Sequence, residues 1–127
     1  KNKKIGFSIF LNLASVTILN QLLKRILQRP RPTEFRIVEE SGYSFPSGHS
    51  MVSMAFYGYL IYLIYKYVEN KYIKWISIIM LSILICSIGV SRIYLGVHYT
   101  SDVLGGFLIS ISYLIIYISA VNKFLIE

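Results

Sequence analysis

The chain has 127 residues, enough for one domain; 55% of them are apolar and the mean hydropathy is +0.59. The apolar residues come in long runs with little polar interruption, which excludes a soluble globular core and points to a bilayer. A net charge of +7 would suit nucleic acid in a soluble protein, but the basic residues sit mostly at the ends of apolar runs, where membrane orientation accounts for them.

Lys1-Asn2-Lys3-Lys4 is a basic flank, and the chain starts with Lys rather than Met, as a fragment or processed product would. The run that follows is too long for a cleavable signal peptide and lacks a small-residue cleavage site. Ile5 to Leu23 carries no charge and is long enough to cross a hydrocarbon core of about 30 Å. Its Asn12, Ser15, Thr17, Asn20 and Gln21 are too many polar groups for lipid, so they are expected to face other helices. Lys24 to Pro32 ends the span, because Pro30 and Pro32 each disfavour helix in the residue before them. Thr33 to Ser44 reads as a polar loop whose Phe35, Ile37 and Val38 dip into the interface.

Met51 to Val68 is the second expected span, dense in tyrosine, and Glu69 to about Lys74 connects it to a third. That third span opens at Trp75, an interfacial residue, and runs to about Val90. Its single cysteine, Cys86, excludes an intrachain disulfide and reads as lipid-facing or packed. Ser91 to Asp102 forms the next polar junction, and Val103 to Val121 the fourth span, with Gly105-Gly106 permitting close helix contact. Asn122 and Lys123 close it.

Alternating spans place Lys1, Lys3, Lys4, Lys66, Lys71, Lys74 and Lys123 on one side and Lys24, Arg25, Arg29, Arg31, Arg36 and Arg92 on the other. With Lys24, Arg31 and Arg92 set aside for a ligand, the lysine-rich first side is cytoplasmic by the positive-inside rule. Three polar motifs then share the extracytoplasmic side. Pro46-Ser47-Gly48 reads as a loop entering a helix, with free amides and a helix dipole favouring an anion, and His49 falls in the first turn. Alone, this is equally a capped helix with an interfacial histidine. Lys24, Arg31 and Arg92 add cations, and an arginine fork matches phosphate oxygens. An anion site holding His49 and His98 suggests phosphoryl chemistry.

Lys24-x6-Arg31-Pro32, Pro46-Ser47-Gly48-His49 and Ser91-Arg92-x5-His98-x3-Asp102 resemble, in order and internal spacing, the three signature motifs of the type 2 phosphatidic acid phosphatase family. The resemblance covers roughly residues 20 to 106. It implies an all-α polytopic membrane bundle, with residues 1–127 as one phosphatase domain. The four spans would correspond to spans three to six of a six-span core, with the first two missing. It implies His98 as the nucleophile, forming a phosphohistidine, and Asp102 fixing its tautomer; a spacing of four would put both on one helix face. Asp102 also reads as a first-turn charge capped by Ser101. His49 would be the general acid, and Lys24, Arg31, Ser47, Gly48 and Arg92 would hold the phosphate.

The family works without a metal, and no acidic cluster suited to magnesium appears in the sequence; no cofactor, nucleic acid or obligatory protein partner is expected. The expected partners are the bilayer and a membrane lipid phosphate: phosphatidylglycerophosphate, undecaprenyl diphosphate or phosphatidic acid, in a bacterial-type plasma membrane. Two other readings are a module that binds lipid head groups without turnover and a relative of the vanadate-dependent haloperoxidases. The apolar spans argue against the second, because those enzymes are soluble.

Overall fold

A computed structural model describes residues 2–126; Lys1, part of the expected basic flank, and Glu127 lie outside the described residues. Four long helices run in order: α1 (Asn2–Leu27), α2 (Gly48–Tyr67), α3 (Lys71–Tyr94) and α4 (Thr100–Val121). A π-helical turn, Asn122–Ile126, continues α4. The described residues contain no strand.

The helix starts follow from local chemistry. Ser47 caps α2, its Oγ accepting the Ser50 N–H at 3.2 Å. Asn70 caps α3 through Oδ1, which accepts the N–H groups of Tyr72 and Ile73. Ser101 does not cap α4: Tyr99 is the N-cap residue, and the Asp102 carboxylate accepts its N–H at 2.8 Å. All four helices start ahead of the expected spans, and two also run past the expected ends. α1 reaches Leu27, so Lys24 stands on its last turn, and α3 reaches Tyr94, so Arg92 is helical.

The buried residues of α1 are Ser8, Asn12, Val16, Asn20 and Lys24, one every four positions. Four of the five are polar, and their partners lie on neighbouring elements. Tyr59 donates to the Ser8 hydroxyl at 2.8 Å, Asn12 donates to the Ala55 carbonyl at 3.3 Å, and Asn20 donates to the Pro46 carbonyl at 3.2 Å. Ser15 meets the Tyr113 hydroxyl at 2.6 Å. Asn12, Ser15 and Asn20 therefore do face other helices, whereas Thr17 and Gln21 are exposed. Outward-facing side chains are large and apolar, among them Phe10, Ile18, Ile76, Met80 and Ile116. Phe35, Ile37 and Val38 are also exposed, and so is Cys86. Polar groups paired inside the bundle, among apolar core residues, behind an apolar outside are the arrangement a bilayer selects.

α1, α3 and α4 (with its π-helical continuation) are each long and apolar enough to cross a membrane; α2 falls short of that standard. α2 packs most extensively against the other three helices, and Tyr59 and Tyr62 on it are hydrogen-bonded inside the bundle. Four helices thus stand where four spans were expected, and three of them are long and apolar enough to cross a membrane. α4 approaches α2 closely at Gly106, as expected, while Gly105 faces the loop before α2. A Cβ on Gly105 would run into the Phe45 ring, and one on Gly106 would come within 3.3 Å of Ser47 O and Met51 N. This seats the start of α4 on the loop that leads into α2, where the three motifs meet.

Candidate active site

Cross-links between distant segments gather the site at one end of the bundle. The Ser47 N–H donates to the Asp102 carbonyl at 3.2 Å, joining the starts of α2 and α4. Asn20 ties α1 to the Pro46 carbonyl, and Lys24 Nζ donates to the Tyr43 carbonyl at 2.9 Å. Gly48 lets this contact form, since a Cβ there would lie 3.3 Å from Asn20 Oδ1. Ser47 departs from expectation. It is fully buried and its amide is spent on Asp102, so it braces the turn instead of presenting a free donor. The Gly48 N–H meets no protein acceptor among the described residues and remains open to a ligand.

His98 lies in the loop before α4, not on the helix, and reaches Asp102 across the N-cap. Its Nδ1 stands 3.3 Å from Asp102 Oδ2, and its Nε2 stands 3.1 Å from Arg31 Nη1. A guanidinium only donates, so Nε2 is the acceptor and Nδ1 carries the proton toward Asp102. The ring therefore holds its lone pair on Nε2. Arg31 is fixed by the carbonyls of Ser41 and Gly42 at 3.2 Å and by that of Val97 at 3.1 Å. Burial lowers the pKa of its guanidinium and Glu40 raises it, but arginine stays charged in proteins.

Asp102 is fully buried. Oδ2 accepts from Ser44 Oγ–H and Tyr99 N–H as well as facing His98, and Oδ1 accepts from Arg29 Nη1 at 3.0 Å. Arg29 and Ser44 were not singled out in the sequence. Arg29 was visible only as one more cation in the Lys24 to Pro32 run, and Ser44 as the end of a loop.

The other half of the site is open. His49 is exposed and makes no side-chain hydrogen bond among the described residues. It lines a cavity of about 570 Å³ together with Gly48, Arg92 and Asn20, whose remaining walls include Leu13, Val52, Phe56 and Ile88. Thr17 and Gln21 line the same cavity, which explains their exposure. Arg92 ends α3 and pairs with Glu40 at 3.5 Å. Arg92, Glu40, His98 and Arg31 lie near enough to act electrostatically on His49, and no hydrogen bond among the described residues joins the two histidines. Every expected residue thus lies at this end: His98, Asp102 and Arg31 in contact, Lys24 and Gly48 packed together, His49 and Arg92 on the cavity. Among the described residues, no three His, Cys, Asp or Glu side chains cluster as metal ligands would.

The chain is similar to known proteins over most of its length. The family model described as PAP2 superfamily matches residues 5–126. Phosphatidylglycerophosphatase B of Bacillus subtilis is 39% identical over 104 residues, 80% of this chain and 51% of that protein. Sphingosine-1-phosphate phosphatase 1 of Rattus norvegicus is 34% identical over 124 residues, 93% of this chain and 28% of that one. The crystal structure of a transmembrane PAP2 type phosphatidylglycerolphosphate phosphatase from Bacillus subtilis superposes with a TM-score of 0.84 at 33% identity, covering 94% of this chain and 60% of the other. The chain spans about half the length, or less, of these curated relatives.

Proposed function

The chain belongs to the PAP2 superfamily and has several helices long enough to cross a membrane, and from that premise we propose that it hydrolyses a phosphate monoester or diphosphate on a membrane lipid through a phosphohistidine on His98. Residues 1–127 act in this reading as one membrane phosphatase domain. The observation that carries it is the His98 ring, with Nδ1–H on a buried carboxylate and its Nε2 lone pair turned to a guanidinium. Nε2 is the lone pair a phosphorus atom would meet, and Arg31 is the donor its oxygens would take over.

The steps follow from the side chains. Substrate phosphate displaces Arg31 from Nε2, Glu40 from Arg92 and the Tyr43 carbonyl from Lys24, so that three cations of the chain itself meet the phosphate charge. Nε2 attacks phosphorus, the bond to the leaving oxygen breaks, and the His49 imidazolium protonates that oxygen. The ring now carries positive charge, with its Nδ1–H against Asp102. Water then attacks the phosphohistidine, gives its proton to His49, and releases inorganic phosphate with neutral His98. The cycle needs no metal.

The cavity supports a lipid substrate, because its polar end holds His49 and Arg92 while its walls are apolar. The relatives' names favour phosphatidylglycerophosphate; undecaprenyl diphosphate and phosphatidic acid are the other candidates. Lys3, Lys4, Lys66, Lys71, Lys74 and Lys123 gather at the opposite end of the bundle, which supports an extracytoplasmic site in the cell membrane. The test is release of inorganic phosphate from dioctanoyl phosphatidic acid by the chain in detergent micelles containing EDTA. Turnover is expected. Saturable binding without release would leave a head-group-binding module instead.

A further inference from the structure

We propose that Arg29 is a positioning residue of this reaction, holding the Asp102 carboxylate from the side opposite His98 and, together with Ser44, setting how strongly Asp102 draws on the nucleophile. The inference rests on His98 being the nucleophile. It concerns Arg29, at an unspecified position within the first motif, and Ser44, which lies outside all three.

Asp102 is completely buried, and its two oxygens have different surroundings. Oδ2 meets three groups: Tyr99 N–H at 2.8 Å, the Ser44 hydroxyl, and His98 Nδ1 at 3.3 Å. Oδ1 meets Arg29 Nη1 alone, at 3.0 Å. Among the described residues, Arg29 is the one arginine or lysine paired with this buried carboxylate.

Arg29 is itself held firmly enough to act as a clamp. Its guanidinium carbon lies 4.3 Å from the Tyr99 ring centroid, and Nη1 also donates to Ser101 Oγ at 2.7 Å. It thus grips three residues at the start of α4. Its carbonyl accepts the Ser44 N–H at 2.7 Å, and Ser44 is the residue whose hydroxyl reaches Oδ2. The loop between α1 and α2 is therefore closed at Arg29 and Ser44, and both ends of that closure converge on one carboxylate.

The consequence is electrostatic. A carboxylate shared with a guanidinium and a hydroxyl is a weaker acceptor than a free one, so it orients Nδ1–H without pulling a second proton onto the ring. Without the Arg29 charge, Asp102 would stabilise the imidazolium at rest, and the Nε2 lone pair would be lost at a higher pH. The other charged groups facing the pair are Arg31 on Nε2, Lys24 from α1 and His49 from α2. None of them contacts Oδ1, so none replaces Arg29 there.

The experiment uses the whole chain in detergent micelles, with two readouts: kcat/KM for dioctanoyl phosphatidic acid against pH, and NMR titration of the His98 ring in histidine-labelled protein. Arg29→Gln is expected to lower kcat/KM about 10- to 100-fold at neutral pH and to move the acid limb and the His98 midpoint up by about one pH unit. Arg29→Lys restores the charge and is expected to return the midpoint while recovering only part of the rate. Ser44→Ala should move both readouts in the same direction by less, and it serves if Arg29→Gln does not fold. An equal loss of rate at every pH, with the His98 midpoint unmoved in Arg29→Gln or Ser44→Ala, would reduce Arg29 to a structural clamp and overturn the proposal. A shifted midpoint in a chain whose unmodified form releases no phosphate would instead preserve the positioning role and reject the phosphatase reading.

Discussion

His98 and His49 stand at the same end of the bundle, yet the chain treats them differently. His98 and Asp102 are buried, and each nitrogen and oxygen of the pair has a partner. His49 is exposed on a cavity, with no side-chain hydrogen bond among the described residues, beside an arginine whose charge is met by Glu40. The difference matches the work proposed for each. A nucleophile needs one tautomer and one direction throughout the cycle, and the chain can supply both in advance. A proton carrier must meet the leaving group and then water, so its hydrogen-bond partners arrive with the substrate.

The comparison breaks first at Asp102. Asp102→Asn is expected to lower kcat about 10⁴-fold while leaving KM nearly unchanged, because the amide selects the wrong tautomer and leaves Arg29 without its anion. A loss below about tenfold in steady-state rates would show that the buried half is not what orients the nucleophile.

The open half should respond according to substrate. His49→Ala is expected to cost 10²- to 10⁴-fold on an alkyl lipid phosphate, the usual range for general acid catalysis. On an aryl phosphate with an acidic phenol the loss should be far smaller, since that leaving group needs no proton. Equal losses on both would mean that His49 binds phosphate and does not move a proton.

The smallest effect is expected at Glu40. Its carboxylate sits by Arg92 and acts on Lys24, Arg31 and His49, which is where a substrate phosphate would sit. Glu40→Gln should tighten competitive inhibition by inorganic phosphate about three- to tenfold, by removing a competing anion from a partly exposed pair. Weaker inhibition would place Glu40 outside the phosphate site.

Much of this half-and-half design was legible in the sequence, for identifiable reasons. Lys24, Arg31, His49, Arg92, His98 and Asp102 stand at fixed spacings, and their placement at helix ends or in the adjoining loops could be read from flanking prolines, glycines and apolar runs. The polar residues of α1 announced a bundle interior, and Asn12, Ser15 and Asn20 occupy it. What was hidden depends on contacts between distant positions. Arg29 and Ser44 reach Asp102 from 73 and 58 residues away, a pairing no local pattern encodes. Ser47 was assigned a free amide from the general behaviour of helix starts, but the Asp102 carbonyl claims it. The four-residue spacing of His98 and Asp102 suggested a shared helix face, while the structure brings them together across a cap. α2 was expected to read as a membrane span, but its tyrosines, several of them bonded inside the bundle, keep it below the hydropathy the other helices reach.

The central claim, a covalent intermediate on His98 resolved by His49, is tested most directly by acid-quenched labelling with a ³²P-labelled aryl phosphate. The unmodified chain should trap label on histidine, His98→Ala should trap none, and His49→Ala should trap more than the unmodified chain because breakdown by water slows. Label retained in His98→Ala and absent in His49→Ala would contradict the account and exchange the two roles.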